Sequence, residues 1–370
     1  MKNLKRNLTL ILSLVFIASS CSNDDDALAQ SNDPDPVVID TPFQELYDQG
    51  IDRYLGTFTP TSTSITAPGI TEYFFEIPDG PICYTGNEFS MFTRDGSSNN
   101  LLIFLNGGGF CNPIACAAVE DGIPLVPFGI LSPADPQSPT SNFNLGYVPY
   151  CDGSAMIGDV DVDSNGDGID DRFFRGVQNL SASLDVIADR YPMPDKIVLA
   201  GNSAGGFAVH HALPLVRKLY PDVAIDVIND SGTGIINPSG WLMNLDYWNG
   251  GSFYPNSCTD CIGTDGNLTE YHKYQLLQDP NIRMAYISSK QDDTFAQLTQ
   301  GGGAAFEEQL LAAANELKSE FPERFNSLIP NGTDHTFIIR DYIFEVSNTN
   351  VRSWISDMIN NNNNWISVTE

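Results

Sequence analysis

Basic side chains are scarce in this 370-residue chain: 18 Lys and Arg stand against 47 Asp and Glu, and there are only four histidines. The first twenty residues hold Lys2, Lys5 and Arg6 and no acid, so the remainder carries 15 − 47 = −32. A field of that sign repels nucleic acid and anionic lipid headgroups, which excludes polyanion binding as a general role. After residue 20 no apolar run is long enough to span a bilayer. Hydrophobic residues nevertheless make up 42% of the chain, enough for a large core, so wholesale disorder is excluded too.

Residues 1–20 read as a signal peptide: a basic start, an apolar run from Leu8 to Ile17, then Ala18-Ser19-Ser20 before Cys21. Small residues directly before a cysteine resemble a bacterial lipobox, which makes Cys21 the expected lipidation site and an N-terminal lipid the only expected membrane contact. Residues 21–41 are acidic and polar, with Pro34 and Pro36, and read as a tether placing the protein outside the cytoplasm, on an outer membrane or the cell surface. Six cysteines follow: Cys83, Cys111, Cys116, Cys151, Cys258 and Cys261. An even number in an exported chain points to three disulfides. Cys258-Thr-Asp-Cys261 lacks the second ligand pair that a zinc site needs.

From residue 42 to 370 the chain alternates short apolar runs with amphipathic ones. Strands are expected over Glu72–Ile77, Asn100–Leu105, Tyr147–Tyr150, Lys196–Ala200, Ala224–Ile228, Arg283–Ser288 and Asn326–Ile329. Helices are expected over Phe174–Arg190, Ala204–Leu219, Ala304–Glu320 and Val351–Asn360. Nearly continuous apolar strands alternating with helices predict one α/β domain with a mostly parallel central sheet flanked by helices.

The chemistry-bearing residues sit at the ends of these strands. After Lys196–Ala200 comes Gly201-Asn202-Ser203-Ala204-Gly205-Gly206 and then a helix, a G-x-S-x-G nucleophile elbow in its required setting. A serine needs a base, and the scarcity of histidine narrows the choice. His210 and His211 lie on the helix after the elbow, where packing roles are expected, and His272 is the weaker candidate. His335, in the loop after the last strand run, stands where the order Ser–acid–His demands. The acid is Asp292 or Asp293, just after Arg283–Ser288. The glycine run Gly107-Gly108-Gly109 after an early strand supplies backbone N–H groups for an oxyanion hole, with Ala204 as the second donor.

Gly107-Gly108-Gly109-Phe110-Cys111-Asn112, Tyr150-Cys151-Asp152-Gly153-Ser154, Phe174-Arg175-Gly176, the elbow and Asp230-Ser231-Gly232 together resemble the pectinacetylesterase/Notum family of serine carboxylesterases, over about residues 70 to 345. The resemblance implies an α/β-hydrolase fold, Ser203 as nucleophile, Asp292 as acid, His335 as base, and Gly107, Gly108 and Ala204 as oxyanion donors. It also implies disulfides Cys83–Cys151 and Cys111–Cys116, leaving Cys258 with Cys261. Asn106 departs from the family's usual Glu, and Phe110 from its frequent Trp or Tyr. An acylated glycan or small ester is the expected substrate, cleaved without a cofactor. The strong negative charge makes a neutral acetylated glycan at least as fitting a substrate as a pectin-type polygalacturonate. A longer acyl chain on the same triad is an alternative, as is a non-catalytic surface protein that binds glycans.

One acidic turn invites a different reading. Asp163, Asn165, Asp167, Ile169 (through its carbonyl), Asp170 and Asp171 crowd oxygen donors around Gly166 and Gly168, which predicts a structural Ca²⁺. The match to an EF-hand fails at Phe174, where the bidentate Glu would stand.

Overall fold

The computed structural model describes residues 41–236, 238–263 and 267–370, without the side chains of 238 and 239. The signal peptide, Cys21 and nearly all of the tether lie outside the described residues.

Ten strands form one sheet: β1 (Ser62–Ala67), β2 (Ile70–Phe74), β3 (Ser90–Arg94), β4 (Leu101–Leu105), β5 (Asn144–Val148), β6 (Ile197–Asn202), β7 (Ile225–Asp230), β8 (Ile282–Ile287), β9 (Phe325–Ile329) and β10 (Val368–Thr369). Their order is β1-β2-β3-β5-β4-β6-β7-β8-β9-β10. From β5 to β10 every neighbouring pair is parallel, while β1–β3 form an antiparallel extension that joins β5. This is the α/β-hydrolase arrangement. The longer helices are α1 (Gly176–Arg190), α2 (Ala204–Leu219), α3 (Pro238–Trp248), α4 (Thr269–Gln278), α5 (Gly302–Glu320) and α6 (Val351–Ile359).

Strand β4 shows why the sheet must be covered on both sides. All five of its residues are buried. Leu101, Ile103 and Leu105 join a core with Leu180 and Leu184 of α1, Val209 and Leu213 of α2 and Leu310 and Leu317 of α5. Leu102 and Phe104 face the opposite core, with Trp354, Ile355 and Met358 of α6. An alternating-polarity strand could not serve two cores. The parallel strands therefore begin and end in step, and their C-terminal ends share one edge, where an open α/β sheet offers a crevice.

Three disulfides join Cys83 to Cys151, Cys111 to Cys116 and Cys258 to Cys261. The first ties the loop before β3 to the segment after β5. The second closes the loop that follows the glycine run.

The acidic turn closes on itself. Asp163 accepts N–H bonds from Gly166 (2.7 Å), Asp167 (3.2 Å) and Gly168 (2.7 Å), and Asp171 accepts from Ser164 and Asn165. Those amides, Gly168 foremost, hold the Asp163 carboxyl below its ordinary range. Among the described residues no three His, Cys, Asp or Glu side chains converge as a metal-holding group. As folded, Asp163 and Asp171 of the expected calcium donors are engaged by the turn's own N–H and side-chain groups.

Two outcomes follow. A Ca²⁺ bound at this turn raises the melting temperature when millimolar Ca²⁺ replaces EDTA; an unchanged value would count against the ion. At Gly205 an added Cβ would lie 2.1 Å from the Leu105 carbonyl oxygen and 2.7 Å from that of Asn106. Gly205→Ala thus destabilises by roughly 1–3 kcal/mol or more, whereas Gly251→Ala, with nothing within 4 Å, is near neutral in the same thermal melts.

Candidate active site

Ser203 sits between β6 and α2 with φ 56° and ψ −123°, a conformation that non-glycine residues rarely adopt. Its neighbours make that turn feasible. Gly205 lets the start of α2 lie against the end of β4, and Gly107 packs so closely that a Cβ there would touch the Asn202 carbonyl and Ser203 Cβ. The Ser203 N–H donates to the Asp230 carbonyl at 2.8 Å, so the strained residue is held from the β7 side as well.

The Ser203 hydroxyl stands 2.8 Å from His335 Nε2. On the far side of the ring, Nδ1 lies 2.7 and 2.9 Å from the two carboxylate oxygens of Asp292. Asp292 is fully buried, and Oδ1 also accepts N–H bonds from Thr294 (3.0 Å) and Phe295 (3.2 Å) as the N-cap of the short helix Asp293–Ala296. Its orientation is thereby fixed independently of the histidine. Asp293, the alternative acid, is exposed and makes no hydrogen bond to the His335 ring. Three residues from separate strand ends, 132 and 43 positions apart in sequence along each bond, thus form one hydrogen-bonded chain.

The other three histidines take no part in it. Burial pushes the imidazoles of His210 and His211 down to about 4 and about 3, and that of His272 well below its usual value, so all three stay neutral. His210 stacks on His272 with centroids 3.7 Å apart and bonds Gln275 and Asn229. His272 bonds the Tyr286 hydroxyl. They are satisfied core groups, beneath the sheet edge that carries Ser203.

The glycine run approaches the elbow as expected, with one difference. The Gly107 N–H is turned toward Asn202 Oδ1 at 3.3 Å. The Gly108 N–H has no acceptor among the described residues, and the Ala204 N–H opens α2 without an intrahelical partner. Two of the three expected donors are therefore free. The run is anchored beyond the glycines, where Cys111 N–H donates to the Gly153 carbonyl (2.8 Å) and Trp248 Nε1 donates to the Cys111 carbonyl (2.9 Å). Phe110 packs edge-on against Phe207 and Trp241, so the departure from Trp or Tyr leaves an aromatic wall in place.

A cavity of about 370 Å³ opens beside Ser203, walled by Phe110, Ile236, Met243, Phe295 and Leu298. Among the described residues no ionised side chain lines it. On the other side of His335 lies a second depression of about 330 Å³ bearing Asp293, Asp334, Arg340 and Asp341. The apolar lining from the 236–244 segment carries no sequence signal that would mark it in advance. Asn202 and Phe295, which brace the glycine run and the acid, are equally silent.

Residues 76–240 match the family model described as pectinacetylesterase. That segment contains the glycine run and Ser203 but neither Asp292 nor His335. Among curated proteins the chain is similar to pectin acetylesterase 5 of Arabidopsis thaliana, 30% identical over 170 residues that cover 41% of this chain and 39% of the relative. It is also similar to pectin acetylesterase 11 of the same plant, 27% identical over 207 residues, covering 52% and 50%. Pectin acetylesterase 4 is 28% identical over 171 residues, 41% of either chain. The chain thus spans half or less of the length of the curated relatives it matches. With the fold, the glycine run and the elbow all in the family's order, these matches support the chain's resemblance to the pectinacetylesterase/Notum family over residues 76–240.

Proposed function

We propose that this protein is a serine carboxylesterase that removes acetyl groups from a polysaccharide outside the cytoplasm. The observation that carries the reading is the continuous Ser203–His335–Asp292 hydrogen-bonded chain, with two N–H groups free beside the serine. As Ser203 Oγ attacks the ester carbonyl carbon, its proton passes to His335 Nε2, while Asp292 accepts the Nδ1–H bond and stabilises the imidazolium. The carbonyl oxygen becomes an oxyanion facing the N–H groups of Gly108 and Ala204, each such donor typically worth about 3 kcal/mol in the transition state. Collapse breaks the C–O bond to the sugar, and Nε2 returns the proton to the departing sugar oxygen. A water then gives a proton to Nε2 and its oxygen attacks the acetyl-serine carbonyl; the C–Oγ bond breaks, Nε2 returns the proton to Ser203 Oγ, and acetic acid leaves and ionises to acetate.

The relatives' names specify pectin, and the charge distribution here argues for a neutral sugar in the cavity. A galacturonate carboxylate inside it would lose water without gaining a cation, a costly exchange. The nearest depression that contains a cation offers Arg340 together with three acids. Apolar walls also favour a second reading, an acyl chain longer than acetate on the same triad. Export and a lipid anchor at Cys21 rest on the sequence pattern, and three disulfides support an oxidising compartment.

Wild-type protein is expected to hydrolyse p-nitrophenyl acetate faster than the butyrate or octanoate ester, and Ser203→Ala to lose at least about 10³-fold in kcat/KM. Octanoate as the best substrate would favour the long-acyl reading, and equal rates in wild type and mutant would contradict both. Acetylated xylan or mannan is expected to be deacetylated faster than acetylated pectin; the reverse ranking would refute the neutral-glycan preference.

A further inference from the structure

Asp230 and Ser231 end β7 and make no hydrogen bond to the Ser203 hydroxyl or the His335 ring, yet they touch all three branches that meet at the site. The Asp230 carbonyl accepts the Ser203 N–H at 2.8 Å. The Ser231 N–H donates at 2.7 Å to the carbonyl of Ile287, the last residue of the strand that delivers Asp292. The side chains take the loop after the histidine: Ser231 Oγ accepts the Thr336 N–H (3.0 Å), and Asp230 Oδ2 accepts those of Phe337 (2.8 Å) and Ile338 (2.9 Å). Three consecutive amides directly following His335 are captured by two adjacent residues.

The turn is built for this and for little else. Asn229 closes it with bonds to both polar groups of Gly232, 2.9 and 2.8 Å, and is itself held by His210. Ser231 and Thr336, bonded to each other, both have φ in the left-handed region, 55° and 68°. Asp230 is completely buried, and among the described residues no Lys or Arg pairs with it. Burial pushes its carboxyl up to about 7, the Ile338 and Phe337 amides opposing the rise. A carboxyl kept in such a place, with its bonds spent on backbone N–H groups, acts as a fastener.

We propose that Asp230 and Ser231 are the positioning residues of this site, fixing the distance between Ser203 and His335 through the nucleophile turn, the end of β8 and the 336–338 backbone. The proposal rests on the esterase reading and adds the groups that hold its geometry. Displacement of a catalytic group by about 1 Å can cost 10²-fold, so loosening this fastener slows the chemistry more than it weakens binding.

The test uses Asp230→Asn and Ser231→Ala in the full chain, with Ser203→Ala as the blank. Labelling of Ser203 by a fluorophosphonate is resolved into a maximal rate and an apparent affinity, and hydrogen exchange is followed at residues 336–338 and in strands β4 and β6. The expected result in at least one variant with wild-type exchange in β4 and β6 is a maximal labelling rate lowered about tenfold or more, affinity within about twofold, and faster exchange at 336–338 alone. Wild-type labelling rates in variants whose loop has been released would overturn the proposal, as would slow labelling accompanied by loss of protection throughout the sheet. A wild type whose Ser203 never labels would overturn the esterase reading, and the proposal with it.

Discussion

Ser203 can hold a left-handed backbone conformation only because three carbonyl-bearing segments close around it with no side chains in between. The end of β4 meets the first turn of α2 at Gly205, the glycine run meets the elbow at Gly107, and the Asp230 carbonyl takes the serine N–H. Strain of this kind costs on the order of 1–3 kcal/mol and persists where the surroundings over-determine it. Here the surroundings are the C-terminal ends of parallel strands, which the two-sided hydrophobic core holds in register. The same register brings the loops after β8 and β9 to the serine, so packing that is unrelated to chemistry sets the reactive distances.

Electrostatically, the site is insulated from the protein's large negative charge. Asp292 is buried and has its own amide donors, and among the described residues no ionised group lines the cavity beside Ser203. Acids crowd the outer surface, where solvent and salt screen them. A neutral acyl ester can enter such a cavity without an uncompensated charge, and the negative charge that develops on the ester oxygen meets N–H dipoles already in place while Asp292 faces the imidazolium.

The sequence reveals the framework because parallel strands buried on both faces read as continuous apolar runs. β4, β6, β7, β8 and β9 and helices α1, α2, α5 and α6 lie within a few residues of their expected positions. β5 begins earlier than the apolar run Tyr147–Tyr150 suggests, since its first pairs use Asn144 and Gly146. Strands β1, β3 and β10 escape notice because β1 is solvent-exposed and polar, β3 mixes polar with apolar residues, and β10 has two residues. Helices α3 and α4 have their apolar residues spread around the axis, so neither shows a clean stripe. Ser203, Asp292 and His335 were legible from strand-end placement and the shortage of histidines. Strand-end placement leaves Asp292 and Asp293 level; the resemblance favours Asp292, and only the structure shows that it is the buried one bonded to His335. The calcium pattern is ambiguous in the sequence, because the same Asp, Asn and Gly residues that suit a cation also cap a tight turn's own N–H groups.

The central claim, that Ser203 is acylated during turnover, is tested most directly by quenching the reaction with p-nitrophenyl acetate within the first turnover and mapping the acetylated peptide by mass spectrometry. The account predicts one acetyl group per molecule, on Ser203, absent from Ser203→Ala. Acetate released with no acetyl on Ser203, or an acetyl group found only on another residue, would contradict it.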